Sequence, residues 1–285
     1  MLRGTIRNRG TGRRRDSWRI INDVNYLITG ANTGIGLATA RALADRGETV
    51  FLACRSPSSG SAAAASIGAR YLSLDLASLA SVRSCAASFL ALDQPLDVLI
   101  NNAGIAGARG LTADGFESHF GINHLGHFLL TSLLLDRLAV SDGRIVTVAS
   151  EAHYAPRGID WSALRRAPRS LTGMREYAVS KLCNVLFTQE LARRYPAIHS
   201  YALHPGMVAS DIWRRVPWPV RPLMKRRMIP NDEGAATSVY CATSLDVAAD
   251  SGLYYDKCAP RAASSVATPV LGAELWERSS AWVGP

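Results

Sequence analysis

From about residue 26 to residue 258 the chain alternates two hydrophobic patterns. Residues 26–29, 49–54, 71–76, 97–100 and 144–149 are short runs of apolar, often β-branched side chains. They lack the strict apolar–polar alternation of a half-exposed strand, which predicts strands covered on both faces. Between them, residues 36–46, 78–92 and 116–138 carry apolar positions at helical spacing. A helix from about 177 to 195, a strand at 199–203, a helix from about 232 to 245 and a strand at 252–255 continue the rhythm. Strand–helix alternation predicts a parallel sheet with helices on both faces, and right-handed crossovers make it doubly wound. The fold class expected is therefore α/β, a mainly parallel doubly wound sheet of Rossmann type. No linker interrupts residues 25–258, so residues 25–285 are read as one domain preceded by a flexible basic tail, residues 1–24.

Composition narrows this only a little. With 48% hydrophobic and 19% charged residues, the chain can build a large core and is not a disordered protein. The net charge of +9 is concentrated: residues 1–19 hold seven Arg and one Asp, and residues 214–227 hold five Arg and one Lys with no acid. The remainder is slightly acidic, which argues against a nucleic-acid-binding surface. No apolar stretch approaches the roughly 20 residues of a membrane span. The five cysteines, Cys54, Cys85, Cys183, Cys241 and Cys258, form no C-x-x-C pair. A reduced, cytoplasmic setting without disulfides or structural zinc fits best.

Two segments carry candidate chemistry. The first is Thr29-Gly30-Ala31-Asn32-Thr33-Gly34-Ile35-Gly36, which joins the first strand to the first helix. Glycines allow a tight turn and a close backbone approach to a pyrophosphate, and the helix N-terminus stabilises its charge. The second strand ends in Cys54-Arg55-Ser56 with no acid nearby. An acid there selects the ribose 2′-hydroxyl of NAD, whereas Arg suits the 2′-phosphate of NADP. Arg55 thus points to NADP(H) over NAD(H), against the plainer reading of a solvated Arg in an Arg-rich chain.

The second segment is Tyr177-Ala-Val-Ser-Lys181. Spacing i, i+4 puts Tyr177 and Lys181 on one helical face. Reducing a carbonyl needs a proton donor that works near neutral pH, and Tyr, with a reference pKa of about 10, needs a nearby cation to fall that far. Lys is scarce here, three against 29 Arg, and its compact ammonium fits such a role. Ser150 ends the strand at 144–149, at the carboxyl edge where a hydroxyl can bind a substrate oxygen. Asn123 lies inside a predicted helix, where Asn has low propensity and needs a reason. His119 and His127 share its face, but without an H-E-x-x-H pattern they read as packing or cofactor-edge residues, not metal ligands. His204, before Pro205-Gly206, reads as a turn residue.

TGANTGIG, Asp75-Leu76, Asn101-Asn102-Ala103-Gly104 and Tyr177-x-x-x-Lys181 together resemble the short-chain dehydrogenase/reductase family over about residues 25–258. LACR at 52–55, NHLGHFLLT at 123–131, HPGMV at 204–208 and LWERSS at 275–280 resemble its retinol dehydrogenase-like branch. The resemblance implies that Asp75 and Leu76 border the adenine, that Asn102 and Gly104 line the cofactor groove, and that Val208 approaches the nicotinamide amide. It implies that Ser150, Tyr177 and Lys181 are catalytic and that Asn123 holds a water relaying protons to Lys181. A small apolar alcohol, aldehyde or ketone is the implied substrate class. Where that branch usually has a longer charged helix, residues 57–68 are short and Ala/Ser-rich.

Residues 207–230 hold four prolines, two tryptophans and the second basic cluster. A long irregular loop beside the nicotinamide reads as a substrate lid built on Trp213 and Trp218, and its basic-aromatic composition also suits contact with an anionic membrane. The alternative to an enzyme is a catalytically silent nucleotide-binding scaffold. The oligomeric state, with a homo-oligomer among the options, is not legible.

Overall fold

The computed structural model describes residues 24–168, 170–208 and 228–284. The Arg-rich tail up to residue 23 and Trp213 and Trp218 of the expected lid lie outside the described residues.

The first half follows the expected alternation: β1 (Asn25–Thr29), α1 (Gly34–Ala44), β2 (Thr49–Cys54), α2 (Pro57–Ser66), β3 (Arg70–Ser73), α3 (Leu79–Leu90) and β4 (Val98–Asn101). A π-helical turn, Phe120–Leu125, then leads into α4 (Gly126–Val140), followed by β5 (Arg144–Val148), α5 (Met174–Arg194) and β6 (His199–His204). The chain continues through α6 (Asn231–Thr243), β7 (Tyr254–Asp256), β8 (Ala259–Arg261) and α7 (Pro269–Val283). The sheet order is β3-β2-β1-β4-β5-β6-β7-β8. Strands β1 to β7 pair in parallel, and β8 alone is antiparallel. The order reverses between β1 and β4, so a crevice opens there at the carboxyl ends of the strands.

The central strands read as continuous apolar runs because both faces are covered. Leu27, Phe51, Leu99 and Ile145 pack on one side with Phe128, Leu134 and Phe187 of α4 and α5. Ile28, Leu52, Ile100, Val146 and Tyr201 pack on the other with Leu43 of α1 and Cys241 of α6. Each such side chain contributes about 1.5–3 kcal/mol on leaving water.

Strand β3 stops at Ser73, short of the expected residue 76. The Leu74 N–H still reaches Cys54 O, but the Asp75 N–H turns to Ser81 Oγ at 2.9 Å. That turn carries Asp75 and Leu76 out of the sheet toward the crevice. The expected helix at 116–138 carries the π turn near its start, a wider coil that is uncommon overall and frequent at functional sites. Helix α2 is formed by the segment 57–66; Ser56 caps it by accepting the Ser59 N–H, and Pro57 fits its first turn. Helix α7 starts in the same way at Thr268-Pro269 and lays Leu275 and Trp276 against α4 and α5. The β7–β8 hairpin turns on Lys257 and Cys258, both at positive φ (51° and 60°), the geometry of a tight two-residue loop.

Candidate active site

Four residues, Gly30 to Thr33, connect β1 to α1. Gly30 and Gly34 sit at φ of +64° and +59°, where a side chain strains the backbone. Gly36 is required for space: a Cβ there would lie 2.4 Å from Asn102 Nδ2 and 2.6 Å from Gly30 O. Thr33 caps α1 in an extended conformation without a side-chain hydrogen bond, and no acid lies in the first turn. The positive end of the helix is therefore not neutralised by a local carboxylate, and it suits an anion.

Behind this turn, buried hydrogen bonds tie the elements together. Thr29 Oγ1 accepts the N–H groups of Asn102 at 3.0 Å and Ala103 at 2.9 Å, and lies 2.8 Å from His127 Nε2. With its lone pairs engaged, the hydroxyl donates its own proton to His127, the only other acceptor being Ile100 O at the longer distance of 3.5 Å. The His127 Nδ1–H then donates to Asn123 O at 3.0 Å. Burial holds His127 down at about 4, so it is neutral throughout the physiological range. The Asn123 side chain accepts the Ile105 N–H at 2.8 Å and donates to Ile105 O at 3.1 Å and Ser180 Oγ at 2.9 Å. The π turn is what brings this Asn against the loop after β4.

A cleft of about 770 Å³ runs along the carboxyl edge of the sheet. At one end Arg55, Ser56 and Ser59 face Asn32, whose Nδ2 donates to Ser59 Oγ at 3.0 Å. The middle is walled by Gly30, Thr33, Gly34, Ile35 and Gly36 on one side and by Asp75, Leu76, Asn102 and Gly104 on the other. At the far end stand Ser150, Tyr177, Lys181 and Val208. Among the residues read from sequence, Asn123 does not line the cleft; it supports the wall from behind, with its Oδ1 3.4 Å from where a Gly104 Cβ would sit. Ala106, Leu111, Met174 and His204 also line the cleft, as does Met207 at the start of the expected lid segment. Sequence reasoning gave the first four no cleft role, and their signal was only their position next to the β4, α5 and β6 ends.

Tyr177 lies in the first turn of α5, one helical turn before Lys181. Lys181 Nζ is buried 5.7 Å from the Tyr177 ring centroid and donates to Val148 O at 2.8 Å. Ionisation runs opposite to the expectation that Lys181 lowers the phenol. Burial is the main influence on Tyr177 and raises it, with a hydrogen bond to Ser150 acting the other way. Burial also brings Lys181 down to about 7, so the lysine itself is only partly charged near neutrality. Ser150 caps the short turn after β5, where its Oγ accepts the Ala152 N–H at 3.2 Å.

The residues fit a dinucleotide. Glycines leave a cradle that Cβ atoms would fill, a helix N-terminus faces it, and a buried Tyr–Lys pair and a serine close one end. Comparison with known proteins agrees. The short chain dehydrogenase family model matches residues 25–218. Retinol dehydrogenase 12 of Homo sapiens is 44% identical over 249 residues, 81% of this chain and 77% of that protein. Retinol dehydrogenase 11 of Homo sapiens is 41% identical over 273 residues, 90% and 85% of the two chains. A crystal structure of an uncharacterised protein from Mycobacterium paratuberculosis superposes with a TM-score of 0.74 at 36% identity, covering 91% of this chain and 93% of that one. The chain belongs to the short-chain dehydrogenase family, in its retinol dehydrogenase-like part, and is by that membership an oxidoreductase of CH–OH groups that uses NAD(P)(H).

Proposed function

We propose that this chain interconverts an apolar alcohol and its aldehyde or ketone with NADP(H), Tyr177 acting as general acid/base. The observation that carries the reading is the convergence of Ser150, Tyr177 and Lys181 at one end of a cleft whose other end carries Arg55. The nicotinamide cofactor, when bound, supplies or accepts the hydride. The remaining work falls to the protein. The Ser150 hydroxyl donates to the substrate oxygen and stabilises its growing charge. Tyr177 gives its phenolic proton to that oxygen in reduction and takes it back in oxidation. Lys181 holds the site polar beside the phenol, and Asn123 fixes the loop at Ile105 and supports proton resupply to Lys181. Leu76, Leu111, Met174 and Met207 give the cleft apolar wall, which supports an apolar substrate.

Arg55 is exposed at the end of β2, beside the hydroxyls of Ser56 and Ser59. A charge-assisted contact from it to a 2′-phosphate contributes roughly 1.5–3 kcal/mol. The test is turnover of straight-chain aldehydes, benzaldehyde, cyclohexanone and all-trans-retinal with NADPH and NADH side by side. The expected result is a preference for NADPH of about tenfold or more, reversed by Arg55→Asp. Equal Michaelis constants for the two cofactors would remove the NADP(H) assignment, and no turnover of any carbonyl or alcohol would favour the silent scaffold.

A further inference from the structure

The peptide group joining Ser150 to Glu151 is held from two sides. Its carbonyl accepts the Nδ1–H of His153 at 2.7 Å and the backbone N–H of His153 at 3.1 Å. Its N–H points at Nδ1 of His204, 3.4 Å away. The two imidazoles must be opposite tautomers. His153 Nε2 accepts the backbone N–H of Ser264 at 3.1 Å, so Nε2 carries no proton and Nδ1 does. His204 offers Nδ1 as an acceptor, so its proton is on Nε2.

The anchorage is deep. His153 is fully buried, its ring 3.9 Å from the ring of Tyr154 and 4.5 Å from that of Tyr254, centroid to centroid. Tyr154 in turn donates to Ala262 O at 2.6 Å. The segment after β8 thus reaches back across β7 to brace the turn that follows β5. What the brace fixes is a direction. Ser150 is extended at φ −172° and ψ 158°, and its Oγ accepts the Ala152 N–H within the same turn. The Ala152 N–H belongs to the same short turn, so releasing the Ser150–Glu151 peptide lets that turn shift and frees the hydroxyl from its fixed partner.

We infer that His153 and His204 are positioning residues for Ser150, holding the peptide plane that aims its hydroxyl at the substrate oxygen. This rests on the proposed role of Ser150. Both imidazoles work only when neutral. Burial is the largest influence on each and depresses both below the ordinary histidine range. The hydrogen bond to Ser150 O opposes burial at His153, Arg261 and His204 press it further down, and Glu151 pulls it up. Asp256 and Glu151 pull His204 up, while Arg261 and Lys181 press it down. Tyr154 and Tyr254 face His153 as uncharged phenols, both raised by burial. The clamp is intact at neutral pH and loosens in acid, below the ordinary histidine value of about 6.5.

The test is a double-mutant cycle read with NADPH and the fastest carbonyl of the panel above. His153→Phe keeps a ring but removes both ring hydrogen bonds. It is expected to lower kcat about tenfold, the scale of one buried hydrogen bond left unmade, with NADPH Kd within about twofold. In a Ser150→Ala background the same change is expected to have less than about a twofold effect. His153→Asn, whose amide can donate from near the Nδ1 position, is expected to recover activity to within about threefold. Nitrogen-15 NMR of labelled histidine is expected to show His153 protonated on Nδ1 and His204 on Nε2 at pH 7. An equal loss from His153→Phe in both backgrounds, no recovery with Asn, or reversed tautomers would overturn the inference. Should His153→Phe not fold, His153→Asn against His153→Gln decides: the Gln amide reaches the Nε2 position, and Gln matching Asn overturns the inference. If Ser150→Ala itself leaves kcat unchanged, the proposed function fails, an outcome separate from the others.

Discussion

The cradle at the β1–α1 turn and the cluster around Tyr177 occupy the middle and the far end of one cleft and are built in opposite ways. The cradle consists of absences. Gly30 and Gly34 adopt left-handed backbone angles that strain a side chain, and Gly36 leaves the space its Cβ would fill beside Asn102 and Gly30. The cluster consists of polar side chains taken out of water: Tyr177, Lys181, Ser180 and Asn123 are all buried. Burial pushes Tyr177 up and Lys181 down, so this end is kept at an energetic disadvantage that the cradle does not share. Backbone geometry can bind one common cofactor in many relatives, whereas the chemistry depends on individual atoms.

That contrast can be broken on either side. The largest effect is expected from Tyr177→Phe, which removes the proton donor and leaves the cradle untouched. Turnover should fall roughly 10²- to 10⁴-fold while NADPH affinity, measured by fluorescence titration, stays within a few-fold. Wild-type turnover in the Phe variant would show that the buried phenol has no part in the chemistry. Next comes Gly36→Ala, a single methyl aimed at a backbone carbonyl. Overpacking of this kind costs typically about 1–3 kcal/mol, which should appear as weaker cofactor binding by about five- to 150-fold. The kcat at saturating cofactor should change far less, and a loss confined to kcat would contradict the division of labour.

The smallest effect sharpens the comparison through stability. Lys181→Met should raise the thermal midpoint of the free protein. Replacing a buried charge by an apolar side chain often gains about 1–4 kcal/mol, with about 2–4 °C expected for each kcal/mol. The sign follows from linkage. The folded value of about 7 lies below the unfolded value of about 10.4, so the unfolded chain binds more protons between them. Stability from this residue therefore falls as pH drops through that window, and the advantage of Met should be larger at pH 7 than at pH 10. A midpoint difference independent of pH would show that Lys181 keeps its ordinary ionisation in the fold.

How far the sequence could be read follows from the same contrast. The Gly-rich turn was legible because its glycines are consecutive in the chain, and Tyr177 and Lys181 because one helical turn separates them. The strand runs β1, β2, β4 and β5 were found to within a residue because both faces are apolar. The π turn at Phe120–Leu125 left no trace: its residues have the same periodicity as an ordinary helix, and only the low propensity of Asn123 hinted at it. The histidine brace behind Ser150 was equally hidden, since His153 meets Ser264 across 111 positions of sequence. Two helices did carry a signal. Ser56-Pro57 and Thr268-Pro269 are capping pairs that mark the starts of α2 and α7, and neither segment was read as a helix.

The β7–β8 hairpin has a consequence for the behaviour of the protein in concentrated solution. The two-residue turn pairs Asp256 with Ala259 and Tyr254 with Arg261, placing Tyr255 opposite Pro260 between them. In an antiparallel ladder the middle pair turns its backbone groups away from its partner, so at Pro260 the outer side of β8 offers a carbonyl and no N–H. Arg261 adds a charge on the same short strand. A strand from another molecule arriving at this margin meets an acceptor where it needs a donor, and the sheet resists growing into a fibril from that side.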